Sequence, residues 1–568
     1  MNMRCKAVSA AGSLMVVTLA LTFPGGCAST KEQPGRAKPH IIIATDYGSI
    51  QEAIDAAREL EVYHIYVPSG VYYIDKTLNF TGLTWSPIRR KRPDGSEEMI
   101  PRNNTLTFEG AGRSTILIAR TGDTPAMDLT GCQPMMIMRN FVLQTPFVEE
   151  REKQTYHWAA GSSVGIFMAR IRNPRGGAPS SGSHVFQNVT VQGNFKIACI
   201  LSWDSECNRL INCRISNTSS GDGYIFTDHN REGIKSPYVE NQPSCNTELH
   251  FYGTNFRSEG GAALRINGAS DVAIHGGYIS TGKDALAGIY LDGTIAARSI
   301  SLRDIRMECG GKHCLYAVGA VSDILIEGGQ WISQRGEMIL HENKVRGNHP
   351  AHRNVFSRST TGRAQNWTIR NVRPSRNFED DPGLKLQEGK FCAMRFESLQ
   401  DSIIEHVSFQ SQYITKDKDG KTKAVVATDI PVVVVEKYSR RNVFRVPSRK
   451  SVVLGGDAKN NQIIATADGT GEEVPALWLS GKSSWYKKRG SPTAPRYYDG
   501  VNRTYIKPDA GISLVNLGLM DVKKIKNPEA GDIAIHDGSG LKGSRLSAVF
   551  FDGGKWISFA TGEKIEFE

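Results

Sequence analysis

Short runs of alternating apolar and polar residues recur through the middle of the 568-residue chain, and most end on the same kind of turn residue. Val185-Phe-Gln-Asn-Val-Thr-Val, Leu210-Ile-Asn-Cys-Arg-Ile, Val272-Ala-Ile-His-Gly-Gly-Tyr-Ile and Ile324-Leu-Ile-Glu-Gly-Gly-Gln-Trp are examples. The turn residue falls at Asn140, Asn188, Asn212, Gly253, Gly276, Asp304, Gly328, Asn371 and His406. The shortest steps between them are 23 and 24 residues, and the longer steps leave room for inserted loops. A second run begins about 12 residues after each first one, as in Gly165-Ile-Phe-Met-Ala, Cys199-Ile-Leu-Ser-Trp, Tyr224-Ile-Phe-Thr-Asp-His and Gly288-Ile-Tyr-Leu-Asp. Its second position is always Ile or Leu: Ile166, Ile200, Ile225, Leu264, Ile289, Leu315 and Ile339. A two-residue period with one apolar column places one face of each strand in a core. Units this short cannot bury that face alone and must stack on neighbours. The pattern predicts an all-β chain wound as a parallel β-helix. A propeller needs a longer period, which is missing.

The N-terminal region adds a signature. Asp46-Tyr-Gly-Ser-Ile-Gln-Glu-Ala-Ile-Asp-Ala-Ala is followed by Ile65-Tyr-Val-Pro-Ser-Gly-Val-Tyr-Tyr-Ile and Leu106-Thr-Phe-Glu-Gly-Ala-Gly-Arg-Ser-Thr-Ile-Leu. These segments resemble the pectate-lyase-like (pectin lyase fold) right-handed parallel β-helix superfamily, which includes rhamnogalacturonases, polygalacturonases and tailspike depolymerases. The resemblance covers about residues 40–475. It implies an N-terminal helix capping the coil, and Ile50, Ala53, Ile54, Ala57 and Leu60 have the spacing for its apolar face. It implies no single activity, because the superfamily holds lyases, hydrolases, epimerases and binders. The polygalacturonase motifs Asn-Thr-Asp and Gly-His-Gly are not present.

In the second run, the residues flanking the apolar column point outward. Aligned on Ile or Leu, one outward column reads Phe167, Leu201, Phe226, Arg265, Tyr290, Tyr316, Leu340. The next reads Ala169, Trp203, Asp228, Asn267, Asp292, Val318, Glu342. Aromatic faces suit stacking on sugar rings, and carboxylates suit proton transfer. With Asn267 between them, Asp228 and Asp292 stand two strands apart, about 9.6 Å between backbones. Inverting glycosidases separate their carboxyls by about 6.5–9.5 Å. The expectation is that one of Asp228 and Asp292 protonates the leaving oxygen while the other activates water. Arg265 holds a substrate acid group, and His229 and Asn267 assist. Trp203, Phe226, Tyr290 and Tyr316 line subsites. Asp204, Glu206, Arg231, Lys235 and Glu259 are second-tier candidates. An elimination would use the same cluster with Arg265, Arg231 or Lys235 as base and Ca²⁺ held by Asp228 and Asp292.

The termini set the cellular context. Arg4 and Lys6 precede an apolar stretch from Ala7 to Phe23, and Gly25-Gly26-Cys27 follows, an export pattern with 1–26 as signal peptide. Cys27 resembles the lipidated first residue of a bacterial lipoprotein, although Pro24 stands where Leu is usual. Residues 27–39 read as a tether, 40–480 as the coil, 481–510 as a linker or loop, and 511–568 as a small C-terminal β module. The expected location is a cell-surface, periplasmic or secreted one. Export permits disulfides, with Cys207/Cys213 and Cys309/Cys314 as pairs; buried apolar filling is the alternative. No CxxC or His cluster points to zinc, so no metal site is assigned.

Composition then constrains the partner. Charged residues are 22% of the chain and Gly 57 of 568, so wholesale disorder is excluded and the glycine excess belongs to the turns. The net charge of +11 becomes +9 without Arg4 and Lys6, which suits an acidic polymer. The basic residues are scattered, which argues against nucleic acid. The leading expectation is an exported enzyme, a glycosidase or polysaccharide lyase, cleaving an anionic polysaccharide in a groove on the coil. The alternative is a non-catalytic, adhesin-like glycan-binding coil.

Overall fold

The structure, a computed structural model, describes residues 39–81, 85–92, 94–103, 105–132, 135–150, 155–169, 181–203, 205–227, 246–334, 336–343, 362–378, 392–407, 410–416, 422–427, 431–447 and 451–465, and strands 476–478, 519–520, 533–536, 547–551 and 556–558. The chain divides at Pro39; apart from that residue, Met1–Pro39 lies outside the described residues, and His40–Glu568 holds the fold. The expected signal peptide, the tether with Cys27 and the 481–510 segment therefore fall outside the described residues.

Thirty-seven strands form one hydrogen-bonded assembly with almost every pairing parallel. Each coil contributes three strand segments. In one coil the first sheet takes Ala269–His275, the second takes Tyr278–Thr281, and the third takes the start of the long strand Ala287–Arg303. That long strand turns the corner and supplies the next first-sheet segment, where Val272 pairs with Ile300, Ile300 with Ile324, and Ile324 with Trp367. The alternation is visible in burial. In Ala269–His275, Val272 and Ile274 are buried while Asp271 is exposed. The inward residues merge into one core running from Ile42 to Ile463. The coil is the expected parallel β-helix.

All nine turn residues read from the sequence have left-handed backbone, with φ between 51° and 70°. Their amides form a hydrogen-bonded rail, Asn188 to Ile211, Asn212 to Tyr252, Gly253 to His275 and Gly276 to Arg303. The physical reason is steric. Only Gly escapes the Cβ penalty at positive φ, and Asn and Asp offset it with local hydrogen bonds. A second rail precedes the first sheet at Ser183, Cys207, Glu248, Asp271, Ser299, Asp323, Asn366, Asp401, Arg441 and Asn460, all at positive φ. Sequence reading missed it.

Helix α1 (Ile50–Leu60) starts on Ser49, whose side chain accepts from the Glu52 amide at 3.1 Å. Ile50, Ala53, Ile54 and Ala57 join the core, but Leu60 stays outside at 37% exposure. The strands Leu519–Met520, Ile533–His536, Ser547–Phe551 and Trp556–Ser558 form their own sheet. Cys207, Cys213, Cys309 and Cys314 are free thiols, so neither suggested pair is a disulfide here. Cys213, Cys309 and Cys314 are buried, matching the alternative of small core filling.

Candidate functional site

The outer surface of the third sheet is built from columns that run along the coil. One column pairs Phe167, Leu201, Ile225, Arg265, Tyr290, Tyr316, Leu340 and Arg395 in successive strands. The next pairs Ala169, Trp203, Thr227, Asn267, Asp292, Val318 and Glu342. Both differ from the expected columns at one strand. Tyr224, not Ile225, pairs with Ile200 and Leu264. A one-residue slip sends every side chain of a strand to the other face. Phe226 therefore points inward, fully buried in the core, and cannot line an outer subsite. Thr227 takes the place given to Asp228, so the two-strand Asp228–Asp292 spacing does not stand on this register. Asp228 and His229 themselves, with Asp204, Arg231 and Lys235, lie outside the described residues.

The lower part of this face is apolar and sealed. Val164, Phe167, Ala169, Ala198, Leu201, Trp203 and Ile225 form a second cluster on the outside of the coil, each at 2% exposure or less. Trp203 belongs to that packing rather than to an open subsite. Open aromatics lie elsewhere: Tyr73, Tyr252 and a pair on the hairpin Phe147–Glu150 and Thr155–Trp158, where the rings of Phe147 and Tyr156 are parallel at 5.6 Å. Phe147 is 52% exposed and Tyr156 61%.

The upper part carries charge. Asp222 is buried and accepts from Arg265 Nε at 2.6 Å, from Arg265 Nη2 at 3.2 Å and from the Ala262 amide at 2.5 Å. Burial raises the Asp222 pKa and the Arg265 guanidinium opposes it. Arg265 also lies over the Tyr290 ring at 5.1 Å. Tyr290 meets Tyr316 at 5.4 Å, and Tyr316 meets His313 at 5.5 Å. The Tyr316 hydroxyl donates to Glu342. His313 Nδ1 is 3.0 Å from the Glu337 carbonyl, and burial lowers its pKa, favouring the neutral ring. Glu337 accepts from Arg395 Nε at 2.8 Å, and Arg395 Nη1 donates to Glu436 at 2.7 Å.

The structure thus brings together Arg265, Tyr290 and Tyr316 with four residues that were not candidates: Asp222, His313, Glu337 and Arg395. Glu342 had been placed in an outward column without a role. Asn267 and Asp292 are neighbours but deeply buried, at 1% and 2% exposure. Neither amide atom of Asn267 has a hydrogen-bond partner among the described residues. Arg265, Tyr316, Glu337, Glu342 and Arg395 remain half-exposed, so a ligand meets these first. Of the two carboxylates considered for Ca²⁺ in an elimination, Asp292 is buried and Asp228 lies outside the described residues. Asp222 is committed to Arg265 and Ala262, and no three His, Cys, Asp or Glu side chains converge among the described residues.

No family model matches the chain, and no curated protein does. Among solved structures it is similar to the mannuronan C-5 epimerase AlgE6 A-module of Azotobacter vinelandii, at 13% identity over 74% of this chain and 97% of that one, with a TM-score of 0.37. It is also similar to PfbA, a surface adhesin of Streptococcus pneumoniae, at 12% identity over 77% and 95%, with a TM-score of 0.38. A third is full-length tailspike protein 2 from the Escherichia coli O157:H7 bacteriophage CAB120, at 8% identity and a TM-score of 0.40. The match covers 75% of this chain but only 45% of the tailspike. In its architecture the chain is a parallel β-helix.

Proposed function

We propose that the upper third sheet binds an acidic polysaccharide and cleaves it, with Tyr316 and Glu342 moving the proton. The observation that carries this reading is the Tyr316–Glu342 hydrogen bond, half-exposed and midway between two arginines on one outward column. Tyr316 stands two strands from Arg265 and two from Arg395, about 9.6 Å either way. Both guanidinium groups are half-exposed and bonded to the chain's own carboxylates, so a uronate chain laid along the coil would share them with Asp222, Glu337 and Glu436. Elimination needs a base and an acid, and this pair supplies both. Glu342 takes the proton beside the substrate carboxylate, the bond to the leaving sugar breaks, and Tyr316 protonates the leaving oxygen. The proton on Glu342 then returns to Tyr316 through their hydrogen bond, which restores the starting state.

Hydrolysis would instead need a second carboxylate. Asp292 is two strands from Glu342 in the same column, but it is buried while Glu342 is not. The test is incubation of the chain with uronate and sulfated polysaccharides. New reducing ends with ultraviolet absorbance of an unsaturated sugar support elimination; reducing ends without it support hydrolysis through Asp292. Binding with no cleavage of any polymer returns the chain to the adhesin-like reading. Full activity in Glu342→Gln overturns the assignment of the pair.

The export pattern of residues 1–26 supports a location outside the cytoplasm for this chemistry, with Cys27 as a lipid anchor. Loss of membrane association in Cys27→Ala checks the anchor.

A further inference from the structure

A second concave surface lies on the other side of the coil, over the second sheet and the asparagine turns. It encloses about 480 Å³, within the range of small-ligand sites. Its wall is the amide stack of Asn140, Asn188 and Asn212, in which the Asn188 amide donates to Asn140 Oδ1 at 3.1 Å. Arg214 rises from the floor and Arg113 closes one end. Arg257 also lines it but is committed to Glu259 at 2.6 Å. Among the described residues no Asp or Glu lines the groove.

The charges there differ from those on much of the first sheet. Four outward arginines of the first sheet, Arg139, Arg303, Arg370 and Arg445, are each matched with a glutamate on a neighbouring strand. Arg113 and Arg214 are exposed, and neither has a carboxylate partner among the described residues. Two unmatched guanidinium groups therefore face a cavity whose other polar groups, the paired Arg257 aside, are neutral amides and hydroxyls. Such a lining satisfies an anionic group through the arginine forks and hydroxyls through the amides, which both donate and accept.

We propose that this groove is a binding site for a saccharide carrying a carboxylate or a sulfate ester, separate from the third sheet. Arg214 and Arg113 hold the anionic group, and Asn188 and Asn212 read the sugar hydroxyls. The proposal does not require the third sheet to be catalytic. Occupied by one stretch of a polymer, the groove would raise the local concentration of the rest at the coil.

The test uses the full chain carrying Glu342→Gln, so that ligand is not consumed. Calorimetric titration compares a uronate tetrasaccharide, its sulfated counterpart and an uncharged tetrasaccharide. One or both acidic ligands should bind with an affinity that falls as salt rises, and the uncharged one should not bind. Which acidic ligand binds tighter tells carboxylate from sulfate. Adding Arg113→Gln with Arg214→Gln should remove this binding component or weaken it about tenfold or more. In a chain with Glu342 intact, the same double substitution should leave cleavage of short substrates unchanged, which separates this site from the third sheet. An unchanged affinity in the double variant, or equal binding of the uncharged ligand, overturns the proposal. A direct readout on the unsubstituted chain covers a variant that fails to fold. The acidic ligand should protect Arg113 and Arg214 from phenylglyoxal, read by peptide mass spectrometry, and absence of protection also overturns it.

Discussion

The lower and upper halves of the third sheet use one outward column for opposite ends. Below, Phe167, Leu201 and Ile225 are as buried as the core they turn away from. Above, the same positions are Arg265, Tyr290, Tyr316, Leu340 and Arg395, with Arg265 tied to Asp222 and Arg395 to Glu337 and Glu436. The break falls between Ile225 and Arg265, which pair directly. Backbone pairing is the same on both sides of it. The coil requires only that the inward column be apolar, so the outward one can become a second dry layer or a polar surface. The proposed chemistry lies in the half where the outward column leaves the dry state without returning to a plain solvated face.

The largest effects should come from breaking each half by its own logic. Asp222→Ala leaves Arg265 beside an apolar void and should cost about 3–5 kcal/mol by urea denaturation. Asp222→Leu combined with Arg265→Met should recover most of that loss, because an apolar replacement of both partners restores a dry layer like the lower one. Leu201→Ala in the lower half should cost about 2–5 kcal/mol through its cavity. A loss under about 1 kcal/mol for Asp222→Ala would mean that the upper half is solvated rather than locked.

Glu342→Gln and Tyr316→Phe sharpen the contrast, because they should separate chemistry from stability. Each should lower turnover of an acidic polysaccharide by about 10²-fold or more, the usual share of general acid–base groups. Their unfolding midpoints should stay within about 1 kcal/mol of the parent, since both groups are half-exposed. Leu201→Ala should do the reverse, losing stability while the folded fraction keeps its turnover. If Leu201→Ala and Glu342→Gln behave alike, the two halves are one structural layer and the division fails.

Much of the coil was legible from sequence because its strongest constraint is local. A left-handed turn admits Asn, Gly or Asp, and eight of the nine rail residues are of those types, so the period announced itself. The second rail was hidden for the same reason, since Ser183, Cys207, Glu248, Ser299 and Arg441 are not typical left-handed residues. Its one signal is position, a polar residue directly before a buried one, as in Asp271-Val272 and Asp323-Ile324. The third sheet was misread where periodicity has no phase. Tyr224-Ile-Phe is apolar at every position, so alignment on Ile225 was one residue out and carried Phe226 to the wrong side. Asp222 escaped notice because it lies ahead of the aligned motif. Glu337 and Arg395 escaped because only strand pairing brings residues 58 apart into contact.

A smaller effect is expected from two buried histidines, His184 beside a lower first-sheet strand and His341 in the upper third sheet. His184 accepts from the Met136 amide at Nδ1, 3.2 Å away, and burial pushes its pKa down to about 3. His341 shares a 2.9 Å hydrogen bond with the Gly319 carbonyl through Nε2, and burial lowers it to about 4, with Glu397 and Glu342 pulling the other way. The ordinary value is 6.5, so between that pH and about 4 the unfolded chain binds protons that the folded chain does not. Stability should therefore fall as pH drops below 6.5, by about 1.4 kcal/mol per pH unit for each histidine. Near pH 4 the His341 contribution should level off while that of His184 continues toward pH 3. Urea midpoints across this range, with His341→Leu and His184→Leu compared, check it. Identical curves for the two variants would remove the carboxylates' influence from the upper half.

The least effect should attach to a difference between lower and upper coils that looks meaningful and is not. The turn rail uses Asn140, Asn188 and Asn212 below and Gly253 and Gly276 above. At Gly276 φ is +63° and a Cβ would meet nothing within 4 Å, so the position asks only for left-handed backbone. Asn supplies that at lower rungs. Gly276→Asn loses the glycine's ease at positive φ but also removes unfolded-state freedom, so the net change should be within about 1 kcal/mol. The next residue marks the limit of this tolerance. At Gly277 a Cβ would stand 2.3 Å from the Thr254 carbonyl, so no side chain fits without moving the neighbouring coil. Thermal unfolding of Gly276→Asn decides the point: a loss of several kilocalories would show that glycine at this rung is dictated by packing, as it is one residue later, and not by backbone hand alone.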